Sequence, residues 1–279
     1  RPVRMSSVIN IAAIQLKPAA SIAENLSNAA ALLLEAAAAG AELAVLPENF
    51  AYYGQSDFLS IGRKESSCEG PVRAFLSQQA RTNGLWLVGG TLPVAGPKPQ
   101  PYARSFLFNP QGNCIEHYDK IHLFDVDIVG CVGQAKRYRE SEDFAAGTRV
   151  VVVPTALCKV GLSVCYDLRF PELYRRMADA EAQVITVPAA FTAATGKDHW
   201  QVLLRARAIE NQVFVVGANL VDLEHPTRGL WGGSAIIDPW GKVLASLQSN
   251  ESGVIMCPID LQLIDQLRAK MPMASHRKL

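Results

Sequence analysis

Ala39-Gly-Ala-Glu-Leu-Ala-Val-Leu-Pro-Glu-Asn-Phe50 has an echo further along the chain, Ala180-Glu-Ala-Gln-Val-Ile-Thr-Val-Pro-Ala-Ala-Phe191. Each copy leaves the end of a helix-like stretch, runs through a short apolar segment of strand length and meets a proline, Pro47 or Pro188. A second echo relates Phe108-Asn-Pro-Gln-Gly112 to Ile237-Asp-Pro-Trp-Gly241, both with the turn chemistry of a β-hairpin. Each half of the chain thus reads as helix-strand units followed by a hairpin. Strands this apolar need cover on both faces. The pattern therefore predicts an α/β fold with two similar halves, their sheets packed face to face and helices outside. The copies differ at one informative place. Glu48 of the first aligns with Ala189 of the second, so only one strand hands a carboxylate to its C-terminal edge, where ligands of open α/β sheets bind.

Outward from these repeats, Val8–Leu16 reads as a strand and Glu24–Ala39 as a helix closed by Gly40. Pro71–Asn83 reads as a helix and Leu85–Leu92 as a strand. Arg104–Asn109 and Cys114–Asp119 form hairpin arms, with Lys120 directly off the second. Ile121–Gly147 mixes glycines, charges and aromatics and is expected to be one long loop, of a length that is functional or disordered. Further strands are expected at Val150–Val153, Cys158–Val164, Gln183–Val187, Val213–Ala218 and Gly253–Pro258, with a hairpin from Gly233–Asp238 and Lys242–Ser246. Helices are expected at Glu172–Ala180, at His199–Gln212 with Leu203, Ala206 and Ile209 on one side, and at Leu261–Lys270. No Gly, Ser or Pro-rich linker separates the halves, so residues 1–279 are expected to form a single domain. Residues 1–7 are expected to be a flexible or vector-derived start and 271–279 a C-terminal tail.

The 279 residues are 49% hydrophobic and carry 27 basic against 26 acidic side chains, a net charge of +1. That balance offers no electrostatic footprint for nucleic acid or an acidic membrane, and points to small molecules or further copies of the chain as partners. The longest apolar run, Ala29–Ala39, is interrupted by Glu35 and is too short to span a bilayer. No signal-peptide pattern is visible over Arg1–Ser7. Cys68, Cys114, Cys131, Cys158, Cys165 and Cys257 are scattered without CxxC spacing, which argues against a zinc site or disulfide scaffold and for a reducing, cytoplasmic setting. No metal or cofactor is implied.

In Val160-Gly-Leu-Ser-Val-Cys165-Tyr-Asp-Leu-Arg-Phe-Pro-Glu172 an apolar strand delivers a thiol into a charged turn, and Pro171 suits the first turn of the helix that follows. Free backbone N–H groups at such a corner favour a thiolate and any oxyanion. Taken singly, Cys165 fits a core strand end, Glu48 a turn and Lys120 a solvated strand end. Taken together they supply what a thiol needs to attack a carbonyl: a base, a cation for the oxyanion and a proton for the leaving group.

The segments Leu46-Pro-Glu48-Asn-Phe50, Tyr118-Asp-Lys120-Ile-His-Leu-Phe-Asp125 and Gly161–Glu172 resemble the three catalytic motifs of the nitrilase superfamily of carbon–nitrogen hydrolases, in the right order. The second and third, with Thr195–Glu210, resemble its Nit branch of ω-amidases and deaminated glutathione amidases. The resemblance implies a four-layer α-β-β-α sandwich of the nitrilase type, a homodimer and a Glu-Lys-Cys triad. In that triad Glu48 takes the thiol proton, Cys165 attacks the amide carbon, and Lys120 with the Tyr166 N–H stabilises the oxyanion. Glu48 then protonates the departing ammonia and activates the water that hydrolyses the thioester. Lys120 is expected to lower the thiol pKa. Glu140, in Arg139-Glu140-Ser141, matches the family's second glutamate, after a loop lengthened through about Cys131–Lys136. The resemblance further implies that Arg169 holds a substrate carboxylate, with a structural pair to Glu172 as the alternative, and that Tyr53, Phe191 and Thr195 border the pocket. His122 is expected to support a site carboxylate. The function implied is an amidase for a small carboxylate-bearing amide of the deaminated glutathione or α-ketoglutaramate type. An inactive binding protein and an acyltransferase on the same fold are the alternatives. A papain-like Cys-His hydrolase using His117, His122 or His199 leaves the acid–lysine pair unexplained.

Overall fold

Along Val8–Gln15 (β1), side chains alternate between two buried faces: Ile9, Ile11 and Ala13 face one apolar cluster, Ala12 and Ile14 another. A strand needing cover on both faces sets the layering of the whole computed structural model, which describes residues 7–129, 135–225 and 228–278. The first half continues with α1 (Ile22–Ala38), capped by the Ser21 side chain, β2 (Leu43–Val45), α2 (Phe58–Glu65), α3 (Pro71–Asn83) and β3 (Trp86–Val88). Then come β4 (Leu92–Val94), β5 (Tyr102–Phe108) and β6 (Cys114–Asp119). A bridging region follows: β7 (Asp125–Val129), β8 (Ala135–Arg139) and α4 (Glu140–Asp143).

The second half comprises β9 (Val152–Pro154), β10 (Lys159–Leu162), a 3-10 turn over Cys165–Arg169, α5 (Pro171–Asp179), β11 (Val184–Ala189), α6 (Ala193–Asn211) and β12 (Phe214–Asn219). It ends with a short pair, β13 (Val221–Asp222) and β14 (Leu230–Trp231), then β15 (Ala235–Ile237), β16 (Val243–Ser246), β17 (Gly253–Asp260), α7 (Gln262–Lys270) and α8 (Met273–His276).

The repeat read from the sequence is a repeat of topology. β1, β2 and β3 run parallel, and β5 and β6 follow antiparallel; β10, β11 and β12 run parallel, and β15 and β16 follow antiparallel. Each parallel trio gains an antiparallel edge strand, β17 beside β1 and β9 beside β10. Even the hairpin turns match: Asn109 Oδ1 accepts from Gln111 and Asn113 N–H, and Asp238 Oδ1 from Trp240 and Lys242 N–H. Ile11, Leu43 and Val45 of the first sheet meet Leu162, Val184 and Val216 of the second in one buried cluster. The outer face of the first sheet packs on α1 and α3 through Leu33 and Leu76. On the outer face of the second, α6 seats Trp200 and Leu204 against Gly217, where any Cβ meets the indole.

Several elements differ from expectation. The loop expected over Ile121–Gly147 contains a hairpin and a helical turn: Asp125–Val129 pairs in register with Ala135–Arg139, and Arg139 bonds Asp127 across it. The first arm, Asp125-Val-Asp-Ile-Val129, alternates as a strand does, but the second, Ala135-Lys-Arg-Tyr-Arg139, does not, which hid the pair. Gly130 and Cys131, at the centre of the expected long loop, lie outside the described residues, as do residues 1–6 of the expected flexible start. The strand expected over Leu85–Leu92 is two, because Gly89-Gly90 turns the chain with Gly90 at φ +62°. Helix α2 was not foreseen. Helix α6 begins at Ala193, six residues before its expected start, and buries Trp200, Leu204 and Ala208 rather than the Leu203, Ala206 and Ile209 side. Pro188 lies inside β11 rather than ending it. Within the expected tail, Arg277 forms an ion pair with Asp179 of α5, and Leu279 lies outside the described residues.

Candidate active site

Three strand ends meet at one edge of the sandwich. Glu48 follows β2 by three residues, and Asn49 after it takes the left-handed conformation that asparagine tolerates (φ 53°). Lys120 leaves β6 directly, its N–H bonded to the Ala103 carbonyl. Cys165 stands three residues past β10 at φ 45°, an unusual conformation for a non-glycine residue, and strain of this kind clusters at functional sites. The 3-10 turn that begins there leaves the Tyr166 N–H in its first turn, without an intrahelical carbonyl to bond.

The side chains converge. Lys120 Nζ, buried, lies 2.8 Å from Glu48 Oε1 and 2.8 Å from both carboxylate oxygens of Glu140. Glu48 Oε2 accepts from the Ala190 N–H at 2.9 Å, and Glu140 Oε2 from the Phe124 N–H at 2.6 Å. Cys165 lines the same pocket as Glu48, whose charge acts on the thiol. Burial opposes the charged form of Lys120, but the charges of Glu140 and Glu48 outweigh it and hold the ammonium well above its ordinary pKa. Burial pushes Glu140 up, aided by Glu48 and opposed by Lys120. The thiol differs from expectation. Burial, and then the Glu48 charge, push it well above its ordinary value despite the lowering effect of Lys120. At rest Cys165 is therefore a neutral thiol beside Glu48, not a preformed thiolate.

These groups form the floor of a cleft of about 730 Å3. Tyr53, Tyr166, Phe191 and Thr195 line it, as does Glu140. Burial pushes the Tyr53 phenol up to about 12. Arg169 does not line the cleft. Its guanidinium sits over the rings of Phe191 (5.2 Å) and Tyr166 (5.9 Å), both of which do, and 3.1 Å from His199 Nδ1. Among the described residues it makes no ion pair with Glu172. His122 turns away from the cleft carboxylates: its Nδ1 lies 2.7 Å from Asp167 Oδ1, and its ring stacks on Phe170 at 3.7 Å.

Asp167 is a residue sequence reasoning missed. Fully buried, it accepts from the Tyr118 hydroxyl at 2.7 Å and the Val164 N–H at 2.8 Å, besides His122. It thereby ties the thiol turn to the lysine strand. Its signal was an aspartate three residues after a strand end, the spacing of a capping side chain. Arg137, Tyr138, Arg139 and Arg228 of the cleft wall were missed as well, the first three because they fell in the stretch expected to be a loop. Among the described residues, no cluster of three His, Cys, Asp or Glu side chains is arranged to hold a metal ion, and no helix is long and apolar enough to cross a membrane.

Paired sheets of this strand order between outer helices are the fold of the nitrilase superfamily. The NitFhit protein of C. elegans superposes with a TM-score of 0.87 at 34% identity, over 98% of this chain and 66% of that one. The omega-amidase NIT2 of Danio rerio is 37% identical over 273 residues, 98% of this chain and 95% of the relative. A deaminated glutathione amidase of Synechocystis is 38% identical over 271 residues, 95% and 97% of the two chains. The carbon-nitrogen hydrolase family profile matches residues 10–269. The chain belongs to the carbon-nitrogen hydrolase family and is an enzyme of that class.

Proposed function

We propose that the chain is an amidase that works through a thioester on Cys165. The observation that carries this reading is the buried contact of Lys120 with both Glu48 and Glu140 beside the thiol. Glu48 and Glu140 stand against a single ammonium, so a further negative charge on sulfur there is costly. Moving the thiol proton onto Glu48 leaves the charge of the floor unchanged. Sulfur attacks the amide carbon as Glu48 takes its proton, and the carbonyl oxygen becomes an oxyanion held by Lys120 Nζ and the Tyr166 N–H. Glu48 passes the proton to the amide nitrogen, the C–N bond breaks, and ammonia or an amine leaves. Water, losing a proton to Glu48, attacks the thioester. The C–S bond breaks, the sulfur recovers the proton, and a carboxylic acid is released. Glu140 positions the ammonium throughout.

The substrate is a small amide bearing a carboxylate, of the α-ketoglutaramate or deaminated glutathione type, a reading supported by the omega-amidase and the deaminated glutathione amidase among the relatives. Arg169 serves its acyl-side carboxylate by swinging past the Phe191 and Tyr166 rings it now covers, while Tyr53, Phe191 and Thr195 shape the pocket. His122 supports the site through Asp167. A single domain in a homodimer, in the reducing cytoplasm where Cys165 stays a thiol, belongs to the same reading. Incubating the protein with each amide and recording its intact mass tests the core of it. An adduct of the acyl mass is expected in Glu48→Gln and must be absent in Cys165→Ala. An adduct that persists in Cys165→Ala overturns the assignment of the nucleophile.

A further inference from the structure

Glu65, the last residue of α2, is a fully buried carboxyl group that the chemistry above does not use. Its oxygens take three donors. Oε1 accepts from the Val72 N–H at 2.9 Å and from the Tyr52 hydroxyl at 2.5 Å, and Oε2 from the Arg73 N–H at 2.9 Å. Helix α3 has Gly70 at its N-cap and no capping side chain of its own, so Glu65 takes that place from the preceding helix. Gly70 leaves the room, since a Cβ there would come within 2.5 Å of Glu65 Oε2. Capping alone does not call for this arrangement: a serine or aspartate at position 70 satisfies a helix start without burying a carboxyl group. What the buried group adds is the bond to Tyr52. Burial, and then the contact with Glu65, hold the phenol proton on Tyr52, so the tyrosine is the donor.

Tyr52 lies in the turn that begins at Glu48. Its N–H bonds the Asn49 carbonyl at 3.1 Å, and its ring sits with Phe50 and Leu76 in the outer apolar cluster, whereas the next residue, Tyr53, lines the cleft. Two further bonds attach the turn, from the Asn49 N–H to Thr91 Oγ1 at 2.9 Å and from Asn25 Nδ2 to the Ala51 carbonyl at 3.4 Å. The bond from Tyr52 is the shortest of the three. Glu48 is thus held at its tip by Lys120 and the Ala190 N–H, and at its root by this turn. In the proposed cycle the tip gains and loses a proton in each half-reaction, so its attraction to Lys120 weakens just when its direction matters. The bond between Tyr52 and Glu65 is untouched by that proton.

We propose that Glu65, acting through Tyr52, is a positioning residue that keeps the Glu48 carboxyl aimed at Cys165 while its charge changes. The inference rests on the reading of Glu48 as the proton carrier. It assigns a part in the reaction to the N-terminus of α3, which lies behind the base and outside the cleft lining.

Two measurements test it in Tyr52→Phe, Glu65→Gln and the double variant: ammonia release from α-ketoglutaramate, and the pH dependence of Cys165 alkylation by iodoacetamide. Tyr52→Phe leaves the bonds from Glu65 to α3 in place, and is expected to lower kcat about tenfold with KM held within about twofold. Glu65→Gln is expected to lose at least as much kcat, and the double variant no more than Glu65→Gln, because both changes act through one contact. Ser77→Ala, which removes a 2.6 Å bond from α3 to the Gly112 carbonyl, is expected to lower Tm and leave kcat unchanged. The Glu48 charge raises the thiol and Lys120 lowers it, so a displaced Glu48 lets Cys165 titrate at lower pH. The midpoint of alkylation is therefore expected to fall in Tyr52→Phe and in Glu65→Gln. Wild-type kcat in both single variants, or losses that multiply in the double variant, overturns the proposal. If Glu48→Gln keeps wild-type kcat, or no ammonia is released at all, the reading of Glu48 as proton carrier falls, and alkylation then decides whether Glu65 sets the place of Glu48. An unshifted midpoint in both single variants overturns that placement, and a lowered one upholds it.

Discussion

A thiol that rests protonated behaves differently from the thiolate of a Cys-His pair. Because burial and the Glu48 charge hold Cys165 high, its alkylation by iodoacetamide is expected to be slow at neutral pH and to climb as pH rises through the alkaline range. Peptide mass mapping separates this site from Cys68, Cys114, Cys131, Cys158 and Cys257; alkylation that is fast and flat from pH 6 to 9 speaks against the neutral thiol. Glu48→Gln removes the group proposed to carry the proton in both half-reactions, and about 10²–10⁴-fold loss of kcat is expected in steady-state assays. The residues proposed to carry the chemistry, Glu48, Lys120 and Cys165, were legible because each sits beside a distinctive local sequence. Arg169 was legible only as a residue type. Its place over two aromatic rings depends on where Phe191 arrives from the other end of β11, and no local spacing encodes that.

Between β10 and α5 the chain makes a turn that local propensity alone does not hold. Asp167 gathers four donors there, from Val164, Tyr118 and His122, so Asp167→Ala strands buried polar groups and is expected to cost about 3–5 kcal/mol in urea unfolding. Rate should fall further than stability alone accounts for, since the Cys165 corner loses its anchor. At the neighbouring turn, Gly90 has φ +62° and an added Cβ would collide with the Pro47 carbonyl, one residue before Glu48. Gly90→Ala is expected to cost about 1–3 kcal/mol and to lower kcat by displacing Glu48, measurable as a lower Tm together with slower release of ammonia from an amide. Elements with a clear apolar period were legible: β1, α1 and α3 lie within a residue or two of their expected bounds. β7 and β8 were not, because their charged residues, among them Asp127 paired with Arg139 across the hairpin, give no apolar period to read.

Across the molecule the two sheets share one apolar cluster, which makes independent unfolding of the halves unfavourable. Trp86 reports on the first sheet, and Trp200 on the second through its bond to the Gly233 carbonyl at 2.8 Å. Tryptophan fluorescence and far-UV circular dichroism are expected to trace one coincident transition, and two separated transitions would contradict the single domain proposed. The proposed homodimer is checked by sedimentation velocity. The exposed Val202 and Ile209 on α6 are the apolar positions to replace with glutamate if a dimer is seen. The paired-sheet plan was legible from two short repeats, whereas the joining of the sheets at the site was not. Glu48 and Lys120 come from one sheet, Cys165 and the Ala190 N–H from the other, and Asp167 links them over a long sequence distance. The first sheet is moreover completed at its β1 edge by β17, which is synthesised after everything else in both sheets. On the ribosome, the first half therefore emerges with an open edge and waits for the last strand. Glu48 and Cys165 belong to different sheets, so the two groups proposed to react together meet only when the sheets have docked.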